Sequence, residues 1–135
     1  MILVDTSAWV EYMRGTGSPV HRRLHTLIAA GEPLATTEPV VLEVLAGARD
    51  AAQLRRLRGV VLSHILLPLD GLADYEEAAA LYRHCRSSGV TIRALIDCLI
   101  AVVAMRSDVE LLHADRDYDA IARHAPLRIA ALTPA

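Results

Sequence analysis

The chain contains no lysine and no phenylalanine. Each of its 14 basic side chains is an arginine, set against 16 acids, for a formal net charge of −2. That balance excludes nucleic-acid binding carried by a basic surface alone. A phosphate substrate needs local help here, from clustered arginines or a bound cation. Aromatic residues make up only 4%, so the core has to be built from Leu, Val, Ile and Ala. The two cysteines, Cys85 and Cys98, lie inside apolar helical patterns without metal-ligand spacing and read as reduced core residues. No apolar run reaches the ~18 residues of a membrane span, so no membrane partner is expected. The amino terminus has no basic segment, and Asp5 interrupts its first apolar run. No secretory signal is expected, and the chain reads as cytoplasmic.

What is present alternates. With 53% hydrophobic and 22% charged residues over 135 positions, the chain suits one globular domain, 1–135, with a substantial core. No repeat, low-complexity tract or linker divides it. The run ILV at 2–4 reads as a buried strand, and a helix starts near Ser7 and ends by Gly15. Ser18 followed by Pro19 is an N-cap with proline at the first helical position, opening a helix that runs to Gly31. PLAT at 33–36 is a short strand, and Thr37 opens an apolar helix over Glu38–Ala48. Asp50 caps a further helix, and HILLPL at 64–69 is a strand. A long helix covers 72–88, a second apolar helix 93–106, and VELLHA at 109–114 is a buried strand. A short helix over 118–124 and a last strand, LRIAAL at 127–132, complete the order. Strands alternating with helices predict an α/β fold of three layers, with a central, mostly parallel sheet covered by helices on both faces.

Asp5 follows the first strand and Asp115 the strand ending in ELLHA. In open α/β sheets, sites form outside the carboxyl ends of the strands, so both acids are delivered to the edge where chemistry occurs. The alternative for each is a helix N-cap. Glu43 in PVVLEVLAG and Asp97 in ALIDCLIAVVA are harder to place structurally, because each is a carboxylate among apolar residues. A buried carboxylate is costly unless it is paired or binds a cation. Pairing of Asp97 with Arg93, and of Glu43 with Tyr12 or an arginine, are the structural alternatives. Both acids lie on stripes of small residues, which allow close backbone approach and a shared cleft.

Four or five carboxylates in one cleft cannot all ionise near neutrality without a cation. Oxygen ligands favour a hard ion, Mg2+ or Mn2+, and the absence of a helical His pair or Cys cluster argues against zinc. Such an ion activates water and stabilises the leaving oxygen in phosphodiester hydrolysis. His113 reads as a strand-end residue rather than a ligand.

Four segments, in order, resemble the PIN-domain ribonucleases and, among them, the VapC-type toxins of bacterial toxin–antitoxin pairs. They are VDTSAWVEYMRG at 4–15, EPVVLEVLAGA at 38–48, IRALIDCLIAVVA at 92–104 and LLHADRDYDAIA at 111–122. The resemblance implies a PIN-like fold in which Asp5, Glu43, Asp97 and Asp115 are catalytic and hold Mg2+ or Mn2+. Asp117 becomes an accessory acid, and Thr6 or Ser7 supports the first acid by hydrogen bonding. It further implies RNA endonuclease activity, a cognate antitoxin and a homodimer. Related chains often carry Thr where His113 stands, a departure that touches the surroundings of Asp115 but none of the acids. Asp119 is one acid too many and reads as the cap of the following helix.

Arg93 and Arg116 neighbour the proposed acids and are the candidate RNA contacts, in preference to the clusters Arg22/Arg23 and Arg55/Arg56/Arg58. Two other classes compete. A phosphotransfer domain using the acid after the first strand needs a lysine that this chain lacks. A non-catalytic PIN-like module that binds RNA or protein gains nothing from four clustered acids.

Overall fold

In the computed structural model, residues 1–133 are described; the last two positions of the expected domain 1–135 lie outside the described residues. The sheet is built from four short strands: β1 (Ile2–Val4), β2 (Leu34–Thr36), β3 (Ile65–Leu66) and β4 (Glu110–Leu112). Their order is β3-β2-β1-β4, and every pairing is parallel. The helices α1 (Thr6–Arg14), α2 (Pro19–Ala29), α3 (Glu38–Ala46), α4 (Ala51–Val61), α5 (Gly71–Ser87), α6 (Leu95–Arg106) and α7 (Arg116–Ala122) supply the crossovers and flank the sheet in the expected three-layer arrangement.

The interior strands are apolar because both of their faces are covered. Leu3 and Val4 are fully buried, as are Leu111 and Leu112 beside them. The register aligns Val4 with Leu112 and Leu3 with Ala35, so neighbouring strands end at the same level. Whatever follows β1 and β4 in sequence therefore emerges at one edge. Helix α6 shows why its sequence lacks a polar face. Residues from Asp97 to Ala104 are all buried, as expected of a helix surrounded by protein. It packs on α5, where Arg106 makes two hydrogen bonds to the buried Asp74, at 3.0 and 2.7 Å.

Two expected strands are shorter than the sequence suggests. HILLPL contributes only Ile65–Leu66 to the ladder, plus one bond from Leu67 N–H to Thr36 O at 2.8 Å. Pro68 has no N–H to continue it, as befits an edge strand. LRIAAL runs beside β4 but pairs only around Leu111, whose N–H bonds to Arg128 O and whose carbonyl accepts from Ala130 N–H. Two helices begin earlier than expected. α1 starts at Thr6 and α7 at Arg116, because Asp5 and Asp115 are themselves the N-caps.

Candidate active site

Asp5 follows β1 directly and is almost wholly buried, at 3% exposure. Its Oδ2 accepts from the N–H of Ser7 at 2.9 Å and from Ser7 Oγ at 2.6 Å. The capping alternative is therefore correct for this residue, yet it occupies only one carboxylate oxygen. Oδ1 accepts from the hydroxyl of Tyr118 at 2.7 Å. Ser7 Oγ also accepts from Ala114 N–H at 2.9 Å, joining the ends of β1 and β4.

Glu43 comes from α3. Thr6, the residue after the first acid, donates its hydroxyl to Glu43 Oε1 at 2.7 Å. The support expected from Thr6 or Ser7 is thus divided: Ser7 serves Asp5 and Thr6 serves Glu43. Asp97 lies in the first turn of α6 at 7% exposure, with Oδ1 at 3.2 Å from Tyr118 Oη.

Asp115 caps α7 through Oδ1, which accepts from Asp117 N–H at 3.0 Å. Oxygens of Asp97, Asp115 and Asp117 lie within 4.8 Å of one another. Arg93 closes one side of this group. Its Nη2 donates to Asp115 Oδ1 at 2.9 Å, and its Nε and backbone N–H donate to Asp117 Oδ2 at 3.0 and 3.1 Å. The alternative pairing of Arg93 with Asp97 is not what forms. Arg93 spends its guanidinium on the acids of α7, although it remains 60% exposed. Arg116 is exposed and forms no ion pair among the described residues.

The electrostatics follow from this crowding. Burial pushes the Asp97 carboxyl up to about 7, helped by the charges of Asp5, Asp115 and Glu43 and opposed by the hydrogen bond to Tyr118. Burial also raises Glu43; the Thr6 hydrogen bond holds it down and the charge of Asp5 adds to the rise. Asp117 moves the other way. Burial works to raise it, but the Arg93 backbone and side-chain hydrogen bonds and the Arg93 charge outweigh that and leave it below the ordinary carboxylate range. Tyr118 is raised well above its usual value by burial and by the charges of Asp5 and Asp97, so it stays a neutral hydroxyl.

The structure thus brings Asp5, Glu43, Asp97, Asp115 and Asp117 to one edge of the sheet. Asp119 is not a helix cap. It sits inside α7, where Oδ1 is 3.2 Å from His113 Nε2, while His113 Nδ1 accepts from Asp115 N–H at 3.0 Å. Sequence reasoning missed Tyr118, a fully buried residue whose hydroxyl meets two of the acids. Its signal was weak: one aromatic among the acids of DRDYD. Arg14 and Arg49 were missed as well. They line a groove of about 420 Å3 together with Thr6, Glu43, Met13 and Leu57.

A buried carboxylate cluster at the carboxyl ends of parallel strands, supported by hydroxyls and facing an arginine-flanked groove, defines a nuclease-like acidic centre. The chain belongs to the PIN-domain family, whose pattern matches residues 2–124. Within it, this chain is similar to proteins named VapC ribonucleases. Ribonuclease VapC11 of Mycobacterium tuberculosis and a VapC ribonuclease of Mycobacterium bovis are each 40% identical to it over 131 residues, 96% of this chain and 98% of theirs. The fold matches VapBC2 from Rickettsia felis, solved bound to a DNA fragment from its promoter, with a TM-score of 0.73 at 18% identity over 96% of this chain and 98% of that one. It also matches VapC20 of M. tuberculosis, a toxin that cleaves the sarcin–ricin loop, with a TM-score of 0.69 at 19% identity over 95% and 99% of the two chains.

Proposed function

We propose that this chain is the toxin of a toxin–antitoxin pair and a Mg2+- or Mn2+-dependent endoribonuclease, acting in the cytoplasm as a single domain over 1–135. The observation that carries the reading is the convergence of Asp5, Glu43, Asp97 and Asp115, with Asp97 pushed up to about 7 by burial and by the other acids. So much negative charge in one place lacks a matching cation among the described side chains. Arg93 answers Asp115 and Asp117 but makes no hydrogen bond to Asp5, Glu43 or Asp97. An all-oxygen donor set of this kind fits a hard divalent ion.

Asp5, Asp97, Asp115 and Glu43 hold the ion in this reading, with Asp117 accessory. A bound ion of this type supplies a Lewis acid and water that ionises near neutrality. The chain's own groups do the rest. Ser7 and Thr6 keep Asp5 and Glu43 in place by donating to one oxygen of each. Asp97, whose carboxyl is raised by burial, would bind the ion as a carboxylate. Arg93 holds Asp115 and Asp117 against their mutual repulsion. Arg14 and Arg49 meet RNA phosphates along the groove, which position the strand without reading its sequence. Arg116, exposed beside Asp115, remains a phosphate contact in this reading, and Arg93 one only through the face of its guanidinium left open.

The same groove supports a protein partner. Apolar walls from Met13 and Leu57, with arginines and Glu43 at hand, suit an amphipathic segment of a cognate antitoxin that covers the acids. A second surface supports the homodimer. A groove of about 580 Å3 between α3, α5 and α6 is flanked by Leu42, Tyr75 and Leu95, which are 64%, 54% and 65% exposed. Contiguous apolar exposure of this kind marks an interface. No described helix is long and apolar enough to cross a membrane.

The test is cleavage of a panel of structured RNAs, tRNAs and ribosomal fragments among them, with Mg2+ or Mn2+ and with EDTA, beside Asp97→Asn purified in the same way. Site-specific cutting that needs both the metal and Asp97 is expected. Cutting by a folded Asp97→Asn protein removes Asp97 from the mechanism. Absence of divalent-metal binding favours the non-catalytic binding module.

A further inference from the structure

Tyr118 is the largest polar side chain at the acidic centre with no assigned part in it. It is fully buried, and its Oη lies 2.7 Å from Asp5 Oδ1 and 3.2 Å from Asp97 Oδ1. The three residues come from separate places: the end of β1, the first turn of α6 and the middle of α7. A phenol carries one proton. It therefore donates fully to one carboxylate, Asp5 by distance, while its oxygen stays against the other.

The lone pairs of Asp5 can be counted. Oδ2 accepts two hydrogens, from the Ser7 backbone and from Ser7 Oγ, which uses both of its acceptor sites. Oδ1 accepts from Tyr118, which leaves a single acceptor site on the whole carboxylate. Asp5 can therefore ligate through one oxygen in one direction. Asp97 Oδ1 lies 3.2 Å from the same phenol oxygen, whose one proton is already given to Asp5.

Resting on the reading of the acids as a metal site, we propose that Tyr118 is a positioning residue for that site. Its hydroxyl, with Ser7, ties Asp5 into a single-oxygen ligand and so favours a small octahedral ion over a larger one. The chemistry behind the preference is geometric. Mg2+ demands near-ideal octahedral geometry at short distances, whereas Ca2+ accepts seven or eight oxygens and bidentate carboxylates. A carboxylate locked by a hydroxyl suits the first. A carboxylate free to rotate suits the second. Hydrogen bonds that orient a ligand in this way are worth about 10–100-fold in metal affinity.

Calorimetric titration of the purified chain with MnCl2 and with CaCl2, without RNA, tests this on the wild type, Tyr118→Phe and Asp97→Asn. Circular dichroism checks that each is folded. Tyr118→Phe is expected to bind Mn2+ about tenfold more weakly, with a smaller change for Ca2+, so that the Mn2+/Ca2+ affinity ratio falls. A merely structural part for the phenol leaves that ratio unmoved. Mn2+ binding that Asp97→Asn abolishes but Tyr118→Phe leaves intact, ratio included, overturns the assignment of Tyr118 alone. Wild-type binding that is absent, or indifferent to Asp97→Asn, overturns the metal site itself. Should Tyr118→Phe fail to fold, 3-fluorotyrosine placed at position 118 keeps the ring and hydroxyl. Its 19F resonance is expected to move on adding Mg2+, and a stationary resonance overturns the proposal.

Discussion

Thr6 donates its hydroxyl to Glu43 Oε1 at 2.7 Å, across 37 positions of sequence, although its chain neighbour is Asp5. Adjacent residues of α1 thus serve different acids. Thr6→Val keeps the shape and removes the donor. The Glu43 carboxyl, already raised by burial, is expected to rise further, because the Thr6 hydrogen bond is what opposes the rise. Carboxyl-detected NMR titration measures this, and RNA cleavage is expected to fall about tenfold with the fold intact.

Asp97 makes the metal-free protein sensitive to pH near neutrality. Its folded value, about 7, lies above its ordinary 3.8, so the folded state holds this proton more tightly than the unfolded state. Stability then grows as pH falls through the folded value, and the penalty is fully present above it. Glu43 acts in the same direction. The melting temperature in EDTA is expected to be higher at about pH 5 than at about pH 8, with the difference reduced in Asp97→Asn. At still lower pH the depressed carboxyls of Asp74 and Asp117 are protonated, their ion pairs fail, and stability is lost. A flat profile from neutral to mildly acidic pH in the wild type contradicts the burial of an ionisable Asp97.

Arg93 neutralises part of the cluster in the absence of metal. Arg93→Gln leaves Asp115 and Asp117 facing Asp97 without their ion-paired cation, with only the charge of Arg116 still acting on Asp117. The Asp117 carboxyl is expected to rise, and the gain in melting temperature on adding Mn2+ is expected to exceed that of the wild type. Thermal scans of both proteins with and without the ion decide it. An equal gain means that Arg93 does not screen the site.

Arg106 joins α5 to α6 by two hydrogen bonds to Asp74, which is 2% exposed, and by a third to Pro68 O at 2.8 Å. Removing Arg106, whose side chain is partly exposed, leaves the buried Asp74 charge without its partner, at a cost of about 1–2 kcal/mol once solvent screening is allowed for. Arg106→Met is expected to unfold at lower urea with an unchanged slope, and Asp74→Asn in the same chain to recover part of the loss. A single variant as stable as the wild type means that solvent reaches Asp74.

Leu42 and Leu95 flank the groove between α3 and α6 and are mostly exposed. If two copies meet there, Leu42→Glu with Leu95→Glu places like charges in a desolvated interface. Light scattering is expected to report a dimer for the wild type and a monomer for the double variant. A wild-type monomer at all concentrations rejects the dimer. A dimer that survives the double variant rejects this face.

Much of the fold was legible in the sequence because its signals are local. ILV before Asp5, Ser18 before Pro19 and the apolar run of α6 each state their own structure. The expected strand at 127–132 failed for the opposite reason. Pairing depends on a partner, and β4 offers Leu111 alone to this segment. The acids were legible by their chemistry: Glu43 and Asp97 stand among apolar neighbours where a charge has no local excuse. Their supports were not. Nothing in TSAW tells which carboxylate Thr6 bonds, and nothing in DRDYD shows that the tyrosine hydroxyl points inward while Asp119 turns to His113.

Composition and order by themselves determined the class of architecture and the edge of the sheet that carries the acids, and they raised the expectation of a cation beside so many carboxylates. Hydrophobic period and helix caps act over a few residues and can be read along the chain. Tertiary structure alone decided which hydroxyl meets which oxygen, that Arg93 pairs with Asp115 and Asp117 rather than Asp97, and that one phenol links Asp5 to Asp97. Hydrogen bonds act over about 3 Å and depend on direction, and only the packed chain brings residues so far apart in sequence within that reach.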